Sequence, residues 1–157
     1  MILVACWFGA ALFFSVVVAP AAFGVLRSFA VPNASEIAGA IVNRSLGVVN
    51  LSGFFIGLVV LLSGLVLRSS SSRTLSLVLQ SISLLILAIA TGVGHWVIAA
   101  RIQALRAASQ LRIDQLAADD PTKVAFDSLH GYSVQALGIA MIAALVAILV
   151  IVRSIKN

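Results

Sequence analysis

Four long stretches of the chain contain no aspartate, glutamate, lysine or arginine. They cover residues 2–26, 45–67, 74–100 and 128–152. Each is long enough for an α-helix, which needs ~20 residues to cross ~30 Å of hydrocarbon. Only helices and closed barrels satisfy their backbone in lipid, and these runs show no two-residue alternation. The pattern therefore predicts an all-α fold, a four-helix transmembrane bundle forming one integral membrane domain over residues 1–157.

Polar residues between the runs predict where two of the helices begin. Asn33, followed three residues later by Glu36, is typical of a capping box, so a helix is expected to start near Ala34. In the last connection, Asp120 is expected to cap a helix with Pro121 as its first residue. The first run has no basic segment ahead of it, so we interpret it as a retained transmembrane helix rather than a cleaved signal peptide.

The third run is followed by apolar residues that continue at helical spacing. This spacing predicts an amphipathic extension of the third helix beyond the membrane. The residues that carry it are Ile102, Leu105, Ser109, Ile113 and Leu116. The connection between the second and third runs, residues 68–73, is instead predicted to be a short polar turn.

Small residues recur on single helix faces, which predicts close helix packing. Gly53 and Gly57 form a Gly-x-x-x-Gly pair in the second run. The third run has the row Ser81, Leu85, Ala88, Gly92 and His95. The fourth has Gly131 and Gly138 on the face of Gln135, and the row Ala136, Ala140, Ala143 and Ala147.

Composition agrees with a lipid solvent and narrows the choice of partners. Only 10% of the 157 residues are charged, and the mean hydropathy is +1.18, whereas soluble domains carry about 25% charged residues. The net charge of +5 is scattered between apolar runs without a basic stripe, which argues against nucleic acid as a partner. Cys6 is the only cysteine, so an internal disulfide and a multi-cysteine metal site are excluded.

Four spans place both termini and the 68–73 connection on one side of the membrane. That side carries Arg68, Arg73, Arg153 and Lys156 in very short segments. Basic residues close to span ends favour the cytoplasmic side, so both termini are expected to be cytoplasmic.

The opposite end gathers the polar and ionisable residues, which are functional candidates when they lie within or beside a membrane. The candidate cluster consists of His95, His130, Asp127, Ser133, Asn50 and Arg44. Trp96 and Tyr132 lie beside the two histidines, which predicts interfacial depth for both. We expect His95 and His130 at similar depth on neighbouring helices, with His95 facing the interior. Asp127, His130 and Ser133 follow at three-residue steps and are expected along one edge of the fourth helix.

Several hypotheses remain open for this cluster. Its members could satisfy one another structurally, or His95 and His130 could ligate a haem, a chlorin or, with Asp127, a metal ion. Solute or proton movement by an oligomer is a further alternative, as is an accessory subunit in a larger membrane complex. An enzyme is not expected, because Asp127, His130 and Ser133 on one helix face cannot adopt the geometry of a nucleophilic triad. Beyond the lipid bilayer, the partners considered are therefore other membrane subunits or further copies of the chain.

Three stretches, residues 9–23, 37–50 and 126–133, resemble a bacterial membrane family of unknown function related to animal transmembrane protein 205. The matching positions are Phe14, Pro20, Phe23, Gly39, Phe126, His130 and Ser133. The resemblance implies a four-helix integral protein of the bacterial inner membrane, with no established reaction. The wider group is similar to copper-resistance membrane proteins and haem-dependent membrane oxidases, and animal relatives are linked to tolerance of platinum drugs. This chain lacks the additional histidines or methionine clusters that a copper carrier would need.

Overall fold

The computed structural model describes residues 1–66, 74–109 and 111–156, and the part of the chain that it describes is helical without strands. Four helices, α1 to α4, are long and apolar enough to cross a membrane, so the all-α prediction with four spans is confirmed. Their bounds are Ile2–Ser28 for α1, Ala34–Val66 for α2, Thr74–Gly92 continued by Val93–Ala99 and Ala100–Ala108 for α3, and Pro121–Lys156 for α4. A 3-10 turn, Ile113–Gln115, lies between α3 and α4. The predicted turn at 68–73 lies outside the described residues.

Two of the helices contain a π-helical segment. In α1 this segment is Phe14–Val18, directly before Pro20. A proline has no N–H to donate, and its ring crowds the carbonyl four residues earlier. The backbone hydrogen bonds of the helix are therefore disrupted just before the proline. In α3 the π-helical segment is Val93–Ala99, which contains His95 and has no proline to account for it.

Both predicted helix starts are confirmed. α2 begins at Ala34, and the main-chain oxygen of Asn33 accepts from the N–H groups of Glu36 and Ile37. Asn33 itself has a φ of 63°, a left-handed conformation that asparagine tolerates better than most residues. α4 begins at Pro121, and the Thr122 N–H donates to Oδ1 of Asp120 at 2.7 Å. Asp120 therefore caps the helix as expected.

The extension of α3 is shorter than its apolar periodicity predicts. The helix continues only to Ala108, and Ser109 is extended with φ −76° and ψ 127°. The prediction that α3 continues as a helix was therefore wrong for Ser109 and for residues 111–116. The chain instead crosses back over the end of the helices, which places Ile113, in the 3-10 turn, and Leu116 in partly buried positions outside any α-helix.

The helices pack in a closed ring in which each contacts its neighbours in sequence and α1 also contacts α4. The core lies between α1, α3 and α4. Its buried side chains are Val4, Trp7, Ala11 and Phe14 of α1, Leu84 and Leu87 of α3, and Leu137, Ala140, Ala143, Ala144 and Ala147 of α4. In lipid such helices are held together by close packing and interhelical hydrogen bonds rather than by exclusion of water.

The Gly-x-x-x-Gly pair of α2 lies where α2 meets α1 and α3. A Cβ atom on Gly53 would lie 2.7 Å from the Trp7 ring and 2.8 Å from Cγ2 of Thr91. A Cβ on Gly57 would lie 3.2 Å from the main-chain oxygen of Leu84. The Trp7 indole N–H also donates to the main-chain oxygen of Val49 at 2.8 Å, which links α1 to α2. The predicted packing role of this pair is confirmed.

The small-residue rows of α3 and α4 are only partly correct. Ala140, Ala143 and Ala147 are buried as predicted. Among the described residues, however, nothing lies within 4 Å of a Cβ placed on Gly131 or Gly138, and Gln135 is exposed. On α3, Leu85 is also exposed. The packed face of α3 includes Leu84, Leu87 and Thr91 together with Ala88 and Gly92, so the predicted row was right for Ala88 and Gly92 and wrong for Leu85.

Candidate functional site

A cavity of about 340 Å³ lies at the end where α1 meets α2 and α3 meets α4. It is bounded by α2, α3 and α4, by the segment that crosses back after α3, and by Phe23 of α1. Pockets that hold small organic molecules typically measure about 300–1,000 Å³, so this one is large enough for a small ligand. We call it the loop-end cavity.

The loop-end cavity combines an apolar wall with many polar groups. The apolar residues are Phe23, Val42, Leu46, Ile102, Leu111, Ile113 and Phe126. The polar and charged residues are Ser35, Glu36, Asn43, Arg106, Ser109, Arg112, Asp114, Lys123, His130 and Ser133, and Gly39 completes the lining. Such a mixture suits a molecule that has both an apolar part and a polar group.

A layered arrangement of side chains forms one side of the cavity. The guanidinium carbon of Arg106 lies 5.3 Å from the centre of the Phe126 ring, within the range of a cation–π contact. One turn further along α4, the imidazole of His130 stacks on the same ring, with centroids 6.5 Å apart and planes 6° apart. A Cβ atom on Gly39 would lie 2.7 Å from Nη2 of Arg106, so the guanidinium occupies space that any other residue at position 39 would fill.

Two of the three cations that line the cavity face carboxylates. Nε of Arg112 lies 3.6 Å from both Glu36 and Asp114, and Nζ of Lys123 lies 3.5 Å from Asp127. Within the described ranges, Arg106 has no ion-pair or hydrogen-bond partner. It is therefore the lining cation that faces no carboxylate among the described residues.

The structure separates the predicted polar cluster. His130 and the buried Ser133 line the loop-end cavity. Asp127 does not line it, because its exposed carboxylate faces Lys123 one turn earlier on α4. Arg44 is exposed and also lies outside the lining. The expectation that these side chains form one group is therefore wrong for Asp127 and Arg44.

Asn50 and His95 lie deeper in the molecule, where α2 meets α3. Asn50 is 3% exposed, and a Cβ on Gly94 would lie 2.8 Å from its Nδ2 atom. His95 lies partly buried on the π-helical segment of α3, with its ring 3.9 Å from a Cβ placed on Gly47. Its Nδ1 atom has no hydrogen-bond partner among the described residues. His95 thus faces α2, in agreement with the prediction that it points into the interior of the helix bundle.

The two histidines lie on contacting helices but at different depths. The contact between Arg106 and Phe126 places these two residues at about the same level of α3 and α4. His95 precedes Arg106 by eleven residues on α3, and His130 follows Phe126 by four residues on α4. At a rise of about 1.5 Å per residue, His95 is roughly 16 Å and His130 roughly 6 Å from that level, a difference of about 10 Å. The expectation of similar depth is therefore wrong.

This separation bears on the metal and tetrapyrrole hypotheses. Two imidazoles can ligate one metal or haem iron only if both reach the same ion. Among the described residues, no three side chains of the histidine, cysteine, aspartate and glutamate types come together as a potential metal site. The arrangement of His95, His130 and Asp127 considered from the sequence is not formed.

Sequence reasoning did not identify Arg106 or Gly39 as parts of a site. The spacing that predicts the α3 extension does not include Arg106, and the neighbours of Arg106 in sequence show only that it lies off the apolar stripe. Its contact with Phe126 joins residues twenty positions apart and depends on how α3 and α4 align. The one available signal was Gly39, which falls within a stretch that resembles a known family.

The fold and the loop-end cavity define a helical membrane protein with an amphipathic pocket at one end. The chain belongs to the family of the domain of unknown function DUF4149, whose model matches residues 2–110. Neither the comparison with curated proteins nor that with solved structures gives a match. The matched region contains α1, α2 and α3, whereas α4, with Phe126, His130 and Ser133, lies beyond it.

Proposed function

We propose that the four helices act as a membrane-embedded bundle that binds a small amphipathic molecule in the loop-end cavity, without catalysing a reaction. The observation that carries the proposal is the cavity itself, which is about 340 Å³ in volume and has both apolar and polar walls. A purely structural contact between helix ends would not need this volume, since protein interiors are normally close-packed.

The absence of a reaction is supported by how the candidate catalytic groups are arranged. His130 and Ser133 both line the cavity, but within the described part of the chain no hydrogen bond joins them. Asp127, the carboxylate nearest in sequence, faces Lys123. A nucleophile needs a base within hydrogen-bond reach and a third group that orients the base, and this set offers neither. A metal or tetrapyrrole held by both histidines is not part of the proposal.

We place the protein in the inner membrane of a bacterium, with both termini in the cytoplasm. The basic residues Arg68, Arg73, Arg153 and Lys156 at the terminal side support this orientation. The cavity then opens on the opposite side. In a Cys6→Ser background, Ser154→Cys should react with an impermeant maleimide only after the cells are opened, and labelling of intact cells would reverse the orientation.

The test of ligand binding is photolabelling of the full chain in nanodiscs with a neutral octanol that carries a diazirine. We expect mass spectrometry to find label on cavity residues such as Val42, Ile102 and Phe126. Asn43→Trp should remove this label, because the larger side chain fills space that the partly buried Asn43 leaves open.

The matched control is Val48→Trp, which adds the same indole on the same helix at a residue 67% exposed and outside the cavity lining. This variant should retain the label in the cavity. Label confined to lipid-facing residues in the unaltered protein, or equal loss of label in both variants, would overturn the proposed function.

A further inference from the structure

We propose that the ligand of the loop-end cavity carries an anionic oxygen group, a carboxylate or a phosphate, that binds to Arg106. The inference rests on the proposed function, since it specifies the chemistry of a molecule in the same cavity. A membrane lipid with an anionic headgroup and a free single-chain carboxylate share this chemistry.

The first argument is the position of the Arg106 guanidinium. It is partly buried in the lining and has no carboxylate or hydrogen-bond partner among the described residues. An unpaired charge that has lost part of its water is costly to a protein unless an opposite charge is supplied. A bound anion would supply that charge.

The second argument is how the guanidinium is held. The Phe126 ring lies against it, and the bare Cα of Gly39 leaves room for its Nη2 end. These contacts restrict the flexible side chain without occupying its N–H donors with acceptors. A guanidinium held in this way is suited to carboxylate and phosphate oxygens, which it binds through two parallel hydrogen bonds.

The third argument is the balance of charge in the cavity. Arg106, Arg112 and Lys123 line it, and three carboxylates lie at these cations, so the charges are equal in number but unevenly placed. Glu36 and Asp114 both face Arg112, Asp127 faces Lys123, and Arg106 faces none of the described carboxylates. A cationic ligand would have to displace one of these pairings, whereas an anionic ligand meets a cation that is already available.

The rest of the lining accounts for an apolar tail. Val42, Leu46 and Ile102 lie in the same cavity as Arg106, and Asn43 and Ser133 add neutral hydrogen-bonding groups. The cavity therefore offers a charged contact and an apolar surface to one molecule. An amphiphile fits this combination better than a free inorganic anion does.

The experiment is native mass spectrometry of the full chain released from mild detergent, with lipids that share their chains. Dioctanoyl phosphatidylglycerol, which has an anionic phosphate, should bind about ten- to a hundredfold more tightly than dioctanoylglycerol, which has the same chains and no phosphate, because a charge-assisted contact is gained. Arg106→Gln should abolish the preference, and Arg106→Lys should retain part of it. Arg101→Gln, an exposed cation on the same helix outside the lining, is the control and should bind like the unaltered protein.

Octanoate and inorganic phosphate distinguish the sources of the anion. Displacement of phosphatidylglycerol by octanoate supports a single-chain ligand, and resistance to octanoate supports a lipid headgroup. Binding of phosphate as tightly as the lipid would overturn the requirement for an apolar tail. Equal binding of the two lipids, or an unchanged preference in a folded Arg106→Gln protein, would overturn the role of Arg106.

Failure of this inference can be separated from failure of the proposed function. If the neutral octanol labels the cavity but the two lipids bind equally, the cavity binds amphiphiles without selecting charge. If neither probe reaches the cavity, the proposed function itself is wrong. Should Arg106→Gln not fold, Arg106→Lys still decides the question, because it keeps the charge but cannot form the paired hydrogen bonds.

Discussion

Two glycines of α2 lie in different surroundings and divide the molecule into a closed middle and an open end. Gly53 meets the Trp7 ring and Thr91, both buried side chains of neighbouring helices. Gly39, at the loop end, meets the guanidinium end of Arg106. The first glycine therefore allows helices to approach, whereas the second makes room for a charged side chain beside a cavity.

The difference shows that one residue type serves opposite purposes at two levels of the same helix. In the closed middle, the close approach at Gly53 and Gly57 brings packing contacts that hold helices together in lipid. At the loop end, space is left open, and polar side chains converge on it. We therefore expect substitutions in the middle to lower stability and substitutions at the end to alter binding.

The largest effect should follow Gly53→Ala. The added methyl group would lie 2.7 Å from Trp7 and 2.8 Å from Thr91, and neither buried side chain has room to withdraw. Overpacking of this kind costs about 1–3 kcal/mol. The loss should appear as a lower midpoint in the thermal unfolding of the detergent-solubilised protein.

Gly138→Ala is the matched control for this prediction. Among the described residues nothing lies within 4 Å of the added methyl group, so its effect should stay within about 0.5 kcal/mol. If Gly138→Ala destabilises the protein as much as Gly53→Ala does, the loss does not come from overpacking in the closed middle, because alanine favours a helix more than glycine does and the added methyl group of Gly138→Ala meets no described residue.

The closed middle was largely predictable from the sequence, and the open end was not. Charge-free runs identify spans because lipid excludes charged residues, and Gly53 and Gly57 are recognisable from their spacing alone. Asp120 and Pro121 likewise identify the start of α4 through local backbone chemistry. All of these features depend on residues that are close together in sequence.

The candidate site depends on how the helices align, which the sequence does not specify. His130 and Ser133 were predicted because they are polar residues next to an apolar run. His95 was placed with them because it lies at the same end of the molecule, but its depth follows from the alignment of α3 with α4. Arg106 was missed for the same reason, since its partners Gly39 and Phe126 lie on two other helices.

An intermediate effect is expected from Trp7→Phe, which removes the hydrogen bond to the Val49 main-chain oxygen while keeping an aromatic ring. One hydrogen bond contributes about 0.5–1.5 kcal/mol. The loss should fall in the lower half of that range, because the Val49 oxygen still accepts from the Ser52 hydroxyl at 3.0 Å. The same unfolding measurement tests it.

Trp96→Phe is the control, because this indole is 50% exposed and has no hydrogen bond among the described residues. It should change stability less than Trp7→Phe does. The reverse order would mean that the contact between Trp7 and Val49 does not help to hold α1 against α2.

The smallest effect on stability should come from Gly39→Ala, although its added methyl group would also lie 2.7 Å from its nearest neighbour. That neighbour is the end of a flexible arginine, which can swing away, so the stability should change by about 0.5 kcal/mol or less. The guanidinium would move while its charge remains. The preference for dioctanoyl phosphatidylglycerol over dioctanoylglycerol should therefore fall severalfold.

Gly24→Ala is the control, because the described residues leave the space around Gly24 open and it lies outside the cavity lining. It should change neither stability nor lipid preference. If Gly39→Ala instead lowers stability as Gly53→Ala does, the Arg106 guanidinium is fixed as firmly as the Trp7 ring. The loop end would then be a second closed region, because a guanidinium that cannot move aside is part of the packing and not a contact kept available for a ligand.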